Sequence, residues 1–226
     1  LIIPILDDFN GKHLDDTRIS FADLIILGGY AAIEKAASSA GFSLHLPFTI
    51  GRTDTTQELT DISSFAVLEP MSCGFRNYIN PKTLGSLPEQ LVEQSYLLTL
   101  TVTEMTALVG GMRVLGANFG GSKVGRLTNS FEMLNNDFFV NLLDLNTVWK
   151  ASNEEDNIFE GRDAVSKDLK WRASSFDLIF GSNSQLRAVA EVFATNNSGQ
   201  AFVDSFAKAW VKVMNLDRFD LANTDA

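Results

Sequence analysis

Side chains able to do nucleophilic, acid–base or metal chemistry are scarce in this chain. It holds two histidines, His13 and His45, and one cysteine, Cys73. These are all the His and Cys ligands available, one short of the four that a structural zinc site needs. A Ser–His–Asp arrangement would have to draw on one of the same two histidines. His13 falls in a polar turn, Asn10-Gly-Lys-His13, and is expected in water. His45 alternates with Leu44 and Leu46 and is expected half-buried or at the surface. No carboxylate or second histidine lies near it in sequence to orient it as a base. Cys73 has no histidine near it in sequence to activate it. The acidic groups Asp7-Asp8, Asp15-Asp16 and Glu154-Glu155-Asp156 read as solvated loop charges that could touch a cation.

Gly116-Ala-Asn-Phe-Gly-Gly-Ser-Lys-Val-Gly125 invites comparison with a phosphate-binding loop. A P-loop needs Gly-Lys followed directly by Ser or Thr, so that the lysine reaches the phosphates and the hydroxyl holds magnesium. Here the order is Gly121-Ser122-Lys123-Val124, and the stretch follows a helical pattern where a P-loop follows a strand. A plain flexible loop is the expectation. Asn196-Asn197-Ser198 fits a glycosylation sequon, relevant only to a secreted chain.

Composition narrows the classes further. The 226 residues are 45% hydrophobic and 20% charged, with a net charge of −10. That is enough apolar material for one large globular domain or two small ones. The acidity argues against a nucleic-acid partner and against an anionic membrane surface, both of which need Lys and Arg. A single cysteine excludes an intrachain disulfide and favours a cytoplasmic setting. The opening Leu1-Ile-Ile-Pro-Ile-Leu6 has no initiator Met and no basic segment. It is too short for a signal peptide or a span, and suggests a chain that begins inside a larger protein.

The elements that position these residues are mostly helical. Ser20 and Asp23 have capping-box spacing, and Phe21 to Ala40 is apolar nearly all round, which predicts a buried helix stopped by Gly41. Gly28-Gly29 within it predicts close packing against a neighbour. Phe42 to Pro88 is long, irregular and proline-rich, a candidate for wrapping a partner. A weak helix runs from about Pro88 to Leu98. Thr101 and Glu104 frame the best-defined helix, Thr101 to Leu115, with Gly116 as its stop. A short helix is expected over Asn136 to Asp144, and a β-hairpin over Ile158 to Ala173 that turns near Val165 to Asp168. Helices over Ser184 to Ala194 and Gln200 to Met214 finish a mainly α chain with one small β element.

Several stretches resemble one family. Ser20-Phe-Ala-Asp-Leu-Ile-Ile-Leu-Gly-Gly29 with Ala31-Ala-Ile-Glu-Lys-Ala36, and Pro47-Phe-Thr-Ile-Gly-Arg-Thr-Asp54, resemble a buried helix of haem peroxidases and the Gly-Arg-x-Asp loop after it. Ser64-Phe-Ala-Val-Leu-Glu-Pro70, Gly74-Phe-Arg-Asn-Tyr78 and Leu108-Val-Gly-Gly-Met-Arg-Val-Leu-Gly-Ala-Asn118 are more specific. With Asn136-Asp-Phe-Phe-Val-Asn-Leu-Leu143, Gly181-Ser-Asn-Ser-Gln-Leu-Arg187 and Val213-Met-Asn-Leu-Asp-Arg-Phe-Asp220, they resemble the C-terminal, haem-free domain of bifunctional catalase-peroxidases. The likeness runs from about Leu1 to Ala222. It implies a haem-peroxidase-like helical domain lacking its first helices, with the catalytic haem domain outside this chain.

What the resemblance implies about chemistry turns on two positions. Active copies place a proximal histidine after the glycines of an Ala-Leu-x-x-Gly-Gly-His-Thr-like helix end. The matching Ala107-Leu-Val-Gly-Gly-Met-Arg113 puts Arg113 there, or Met112 with a one-residue shift. Arg cannot ligate iron, and an axial Met suits electron transfer rather than peroxide cleavage. Asp177 matches the aspartate that orients the histidine, so Asp177 is expected to approach Arg113. No Trp lies between Arg113 and Asn146, where active copies carry one, and Thr53 to Ser64 has no Tyr. The resemblance thus implies no catalytic, cofactor-binding or metal-binding residue in this chain, with Arg113 and Asp177 as vestigial haem-pocket positions. It implies haem b in the N-terminal domain of an intact, homodimeric enzyme that decomposes hydrogen peroxide and oxidises small donors. Some relatives of that kind are secreted. Two alternatives stay open: haem binding through Met112 or His45 with residual peroxidase activity, and a small ligand in the emptied haem cavity.

Overall fold

Local capping signals set most of the frame in the computed structural model, which describes residues 2–12, 17–65, 72–80 and 86–221. The chain divides into two units, residues 1–35 with 45–70 and residues 36–44 with 71–226. Its helices and strands make it mainly α with one small antiparallel sheet.

The smaller unit holds α1 (Ile3–Lys12), most of α2 (Phe21–Ser39) and the one-turn α3 (Ile62–Phe65). Ser20 Oγ accepts from Asp23 N at 3.0 Å, as the capping spacing predicts. The Asp23 carboxylate, however, turns to the Gly51-Arg52 segment. It accepts from Gly51 N at 2.8 Å and from Arg52 Nη1 at 3.0 Å. Burial alone would raise the Asp23 pKa; the Gly51 and Arg52 hydrogen bonds outweigh it and hold the carboxyl below its usual value. Asp54 accepts from Phe21 N and Ala22 N at 2.7 and 2.9 Å, supplying two of the free donors at the start of α2. The Gly-Arg-x-Asp stretch is therefore a brace on this helix.

The larger unit is built on α5 (Val102–Val114), whose Thr101–Glu104 capping box is complete. Around it stand α4 (Leu87–Leu97), α6 (Asp137–Leu142), α7 (Ser175–Ser182), α8 (Ser184–Phe193) and α9 (Gly199–Met214). Helix α5 packs on α6, α8 and α9, and α7 packs on α4 and α8. Gly110 and Gly111 make this possible: a Cβ on the first would strike the Phe139 ring, and one on the second the Phe206 ring. Phe139 in turn meets Phe138, Phe193 and Phe202 at centroid distances of 5.2, 5.3 and 5.6 Å. Fully burying such a ring is worth about 2–3 kcal/mol. Strands β1 (Thr147–Ala151), β2 (Ile158–Asp163) and β3 (Leu169–Ser174) pair antiparallel in that order, with a register shift at Gly161/Arg162.

Several expectations change. The β element has three strands, because Thr147–Ala151 joins the hairpin through Val148↔Arg162 and its neighbours. Helix α7 was not expected, although Ser174 and Asp177 form a capping box at its start. Asn10 to Lys12 is the last turn of α1, held by Asn10 to Ile19 through two 3.0 Å bonds, and not a turn. Asp7 and Asp8 are helical too, and Asp8 pairs with Lys12. Helix α2 is not buried all round: Ile25 and Leu27 are exposed, and a Cβ on Gly28 would meet nothing within 4 Å. Its buried positions are Asp23, Tyr30, Ile33, Ala36 and Ala37, one stripe at helical spacing. Gly41 does stop the chain as expected, with φ +84° and Phe42 N bonded to Ala37 O. The irregular Phe42–Pro88 stretch contains α3 and a 3₁₀ turn at Gln57–Leu59. His13, the Asp15-Asp16 pair and most of Ser64 to Pro70 lie outside the described residues. Among the described residues, no single helix is long and apolar enough to cross a membrane.

Candidate functional site

Arg113 lies in the last turn of α5, and its side chain is fully buried. Asp177 lies in the first turn of α7 and is buried as completely. Arg113 Nε donates to Asp177 Oδ1 at 2.7 Å. The expected approach of the two side chains is thus a direct, dry ion pair. Its geometry is set from both ends. Asp177 sits where the backbone N–H groups of α7 point, which favours negative charge. Arg113 sits near the carbonyl end of α5, which favours positive charge.

Neither group relies on the other alone. Arg113 Nη1 donates to Phe75 O at 2.8 Å and to Asn118 Oδ1 at 3.3 Å, and Nη2 donates to Gly74 O. Four of the five guanidinium N–H donors are therefore used. Asp177 Oδ2 accepts from Ser174 N at 2.8 Å and from Asn77 Nδ2 at 3.3 Å. The Ser174 hydroxyl lies within hydrogen-bond reach of both Asn77 Oδ1 and Asp177 Oδ2. Asn118 and Asn77 then tie in the glycine-rich segment, since the amide of each donates to Val124 O, at 2.8 and 2.9 Å. Gly125, with φ +81°, lies so close that a Cβ there would sit 2.5 Å from Asp177 Oδ2. The Gly116–Gly125 stretch is consequently pinned to the ion pair, not a free loop.

Isolated charges in such a place are very unfavourable, and a buried pair holds only when its remaining donors and acceptors are satisfied. This network meets that condition. It joins four parts of the larger unit through one guanidinium and one carboxylate: α5, the Cys73–Tyr78 turn, the glycine-rich segment and α7. Sequence reasoning singled out Arg113 and Asp177 but missed Asn77, Asn118, Ser174 and Gly125. The Ser-x-x-Asp spacing at Ser174 was the one available signal; Asn77 acts across 47 to 100 positions, and Asn118, whose partners Arg113, Ser122 and Val124 lie within six residues, matches no local motif.

The other candidates disperse. His45 is 92% exposed, with Nδ1 3.3 Å from Glu34 Oε1, so a carboxylate reaches it in space where none did in sequence. Met112 is half-buried. Cys73 forms an isolated two-residue bridge with Tyr78 and is a half-buried free thiol. Glu155 pairs with Arg172 at 2.8 Å. Among the described residues no group of three or more His, Cys, Asp or Glu side chains could hold a metal ion. An axial haem ligand must offer a lone pair, and a guanidinium has none to give. The donor set around Arg113 therefore does not fit haem iron.

The peroxidase family model matches residues 2–196, and the chain belongs to that family. It is similar to proteins named catalase-peroxidase. That of Hahella chejuensis (strain KCTC 2396) is 56% identical over 215 residues, covering 95% of this chain and 30% of that protein. That of Mycobacterium sp. (strain KMS) is 55% identical over 224 residues, covering 97% and 30%. That of Pelobacter propionicus (strain DSM 2379 / NBRC 103807 / OttBd1) is 56% identical over 218 residues, covering 96% and 30%. The chain spans about 30% of the length of these relatives.

Proposed function

We propose that this chain is the non-catalytic, haem-free C-terminal domain of a catalase-peroxidase. In this reading it packs against the N-terminal haem domain of the same protein and keeps that active site in its competent arrangement. The intact protein is a homodimer that decomposes hydrogen peroxide and oxidises small donors, with haem b in the N-terminal domain. Peroxide chemistry tolerates little misplacement of its positioned groups, so a supporting surface at a distance can act on rate. The observation that carries the reading is the buried Arg113–Asp177 pair at 2.7 Å. The position assigned to the iron ligand by resemblance holds a cation, and the aspartate that would orient a histidine holds that cation instead.

The test is a visible absorption titration of the purified chain with hemin, followed by its addition to an isolated haem domain. No saturable Soret shift is expected, and added chain is expected to raise the peroxide turnover of the haem domain. A stoichiometric Soret shift with peroxide turnover by this chain alone would overturn the reading.

A further inference from the structure

Between the Ser122–Glu132 segment and strand β3 lies a cleft of about 780 Å³, formed entirely within the larger unit. That volume is in the range of small-molecule sites. Neither Arg113 nor Asp177 lines it. Its lining contains four cations, Lys123, Arg126, Lys170 and Arg172, against two carboxylates, Glu132 and Glu155. In a chain of net charge −10, this is a local reversal of sign.

Not all of that charge is internally matched. Lys170 pairs with Asp144 at 2.7 Å and Arg172 with Glu155 at 2.8 Å. Lys123 and Arg126 have no carboxylate partner among the described residues. Arg126 Nε and the Trp171 indole Nε1 are shielded from solvent and donate to nothing. Buried donors are normally satisfied; of six unmet buried side-chain atoms among the described residues, the other two indole nitrogens included, these two line one cleft, where an acceptor supplied from outside would meet them.

Arg126 is also held in place. Its guanidinium carbon lies 4.8 Å from the centroid of the Phe131 ring. On another side it abuts Gly116, where a Cβ would come within 2.9 Å of that carbon. A cation fixed before binding loses little freedom when an anion arrives. Trp171 and Leu169 add apolar surface to the lining.

We propose that this cleft binds a small organic monoanion: a carboxylate or similar oxyanion carried on a flat apolar body. The oxyanion would take the Arg126 and Lys123 donors, and the body would lie against Trp171 and Leu169. Glu132 and Glu155 disfavour ligands with several negative charges.

The probe is 2-naphthoate, titrated calorimetrically into the full chain at low ionic strength, with neutral 2-naphthylmethanol as comparison. One-site binding is expected, about tenfold or more tighter for the anion than for the alcohol. Lys123→Gln and Arg126→Gln should each weaken it by about fivefold or more, reflecting a lost charge-assisted contact. Among the three indole N–H signals in a ¹H–¹⁵N spectrum, that of Trp171 should move on binding. Lys123 is solvent-exposed, so its variant reads binding without disturbing the fold. Three results would each overturn the proposal: no binding up to about 5 mM, equal affinity for the neutral alcohol, or an unmoved Trp171 signal.

Discussion

Removing both members of the Arg113–Asp177 pair should cost clearly less than the sum of removing each alone. Arg113→Leu leaves the Asp177 carboxylate dry and facing no cation, a change worth about 3–5 kcal/mol. It also strips donors from the Gly74 and Phe75 carbonyls, each worth about 1–3 kcal/mol when left unmet in the interior. These terms overlap, and a loss of about 5 kcal/mol is the working figure. For a chain of this size it lowers the melting temperature by about 10–20 °C. Asp177→Asn keeps an acceptor beside Arg113 but leaves the guanidinium uncompensated, for a loss of about 3–5 kcal/mol. The double variant buries no net charge, so its loss should fall short of the sum of the singles by about 2 kcal/mol or more. Urea denaturation followed by circular dichroism at pH 7 measures all three. Strict additivity, or an Arg113→Leu loss below about 1 kcal/mol, would refute the claim that this pair organises the larger unit.

Two glycines should respond oppositely to alanine. Gly125→Ala forces a side chain into a left-handed backbone and onto the Asp177 carboxylate, and should cost about 2 kcal/mol or more. Gly28→Ala, on the exposed side of α2 with open space around it, should stabilise by about 0.5–1 kcal/mol. Equal shifts in urea midpoint for the two would contradict the packing described. Asp144 is held down to about 2, chiefly by the Lys170 hydrogen bond and by Asn146 N. A carboxyl lowered by folding stabilises above its unfolded pKa near 3.8 and loses that contribution as pH falls toward 2, in total about 2 kcal/mol. Lys170→Ala should move the Asp144 titration, followed by ¹³C NMR, upward toward its ordinary range; an unmoved titration would contradict the assigned cause.

What could be read from sequence was what is encoded within a few residues. Thr101 and Glu104 announce α5 because both halves of the capping box sit three apart. Gly41 and Gly116 announce helix ends because each needs a positive φ. Strand β1 escaped notice because Thr147-Val-Trp-Lys-Ala151 is short, and its place depends on backbone pairing with β2. Helix α2 was over-read: apolar composition on every face does not say which faces find a neighbour. At the candidate site, Arg113 and Asp177 stand 64 positions apart, and no local pattern joins them. Only the family resemblance did so, because it carried a spatial relation between two positions. It carried no role for Asn118, which accepts from Arg113, or for Asn77 and Ser174, which donate to Asp177.

The guanidinium of Arg113 has one more consequence. A hub made from a bound group makes a protein's stability a function of supply, because free ligand adds RT ln(1 + [L]/Kd) to the folded state. A hub made from a side chain is delivered with the chain, at one equivalent, at synthesis. It does not dilute away, exchange with a cellular pool or vary with nutrition. The cohesion that Arg113 gives α5, α7 and the loops between them is therefore constant across every concentration of any cofactor.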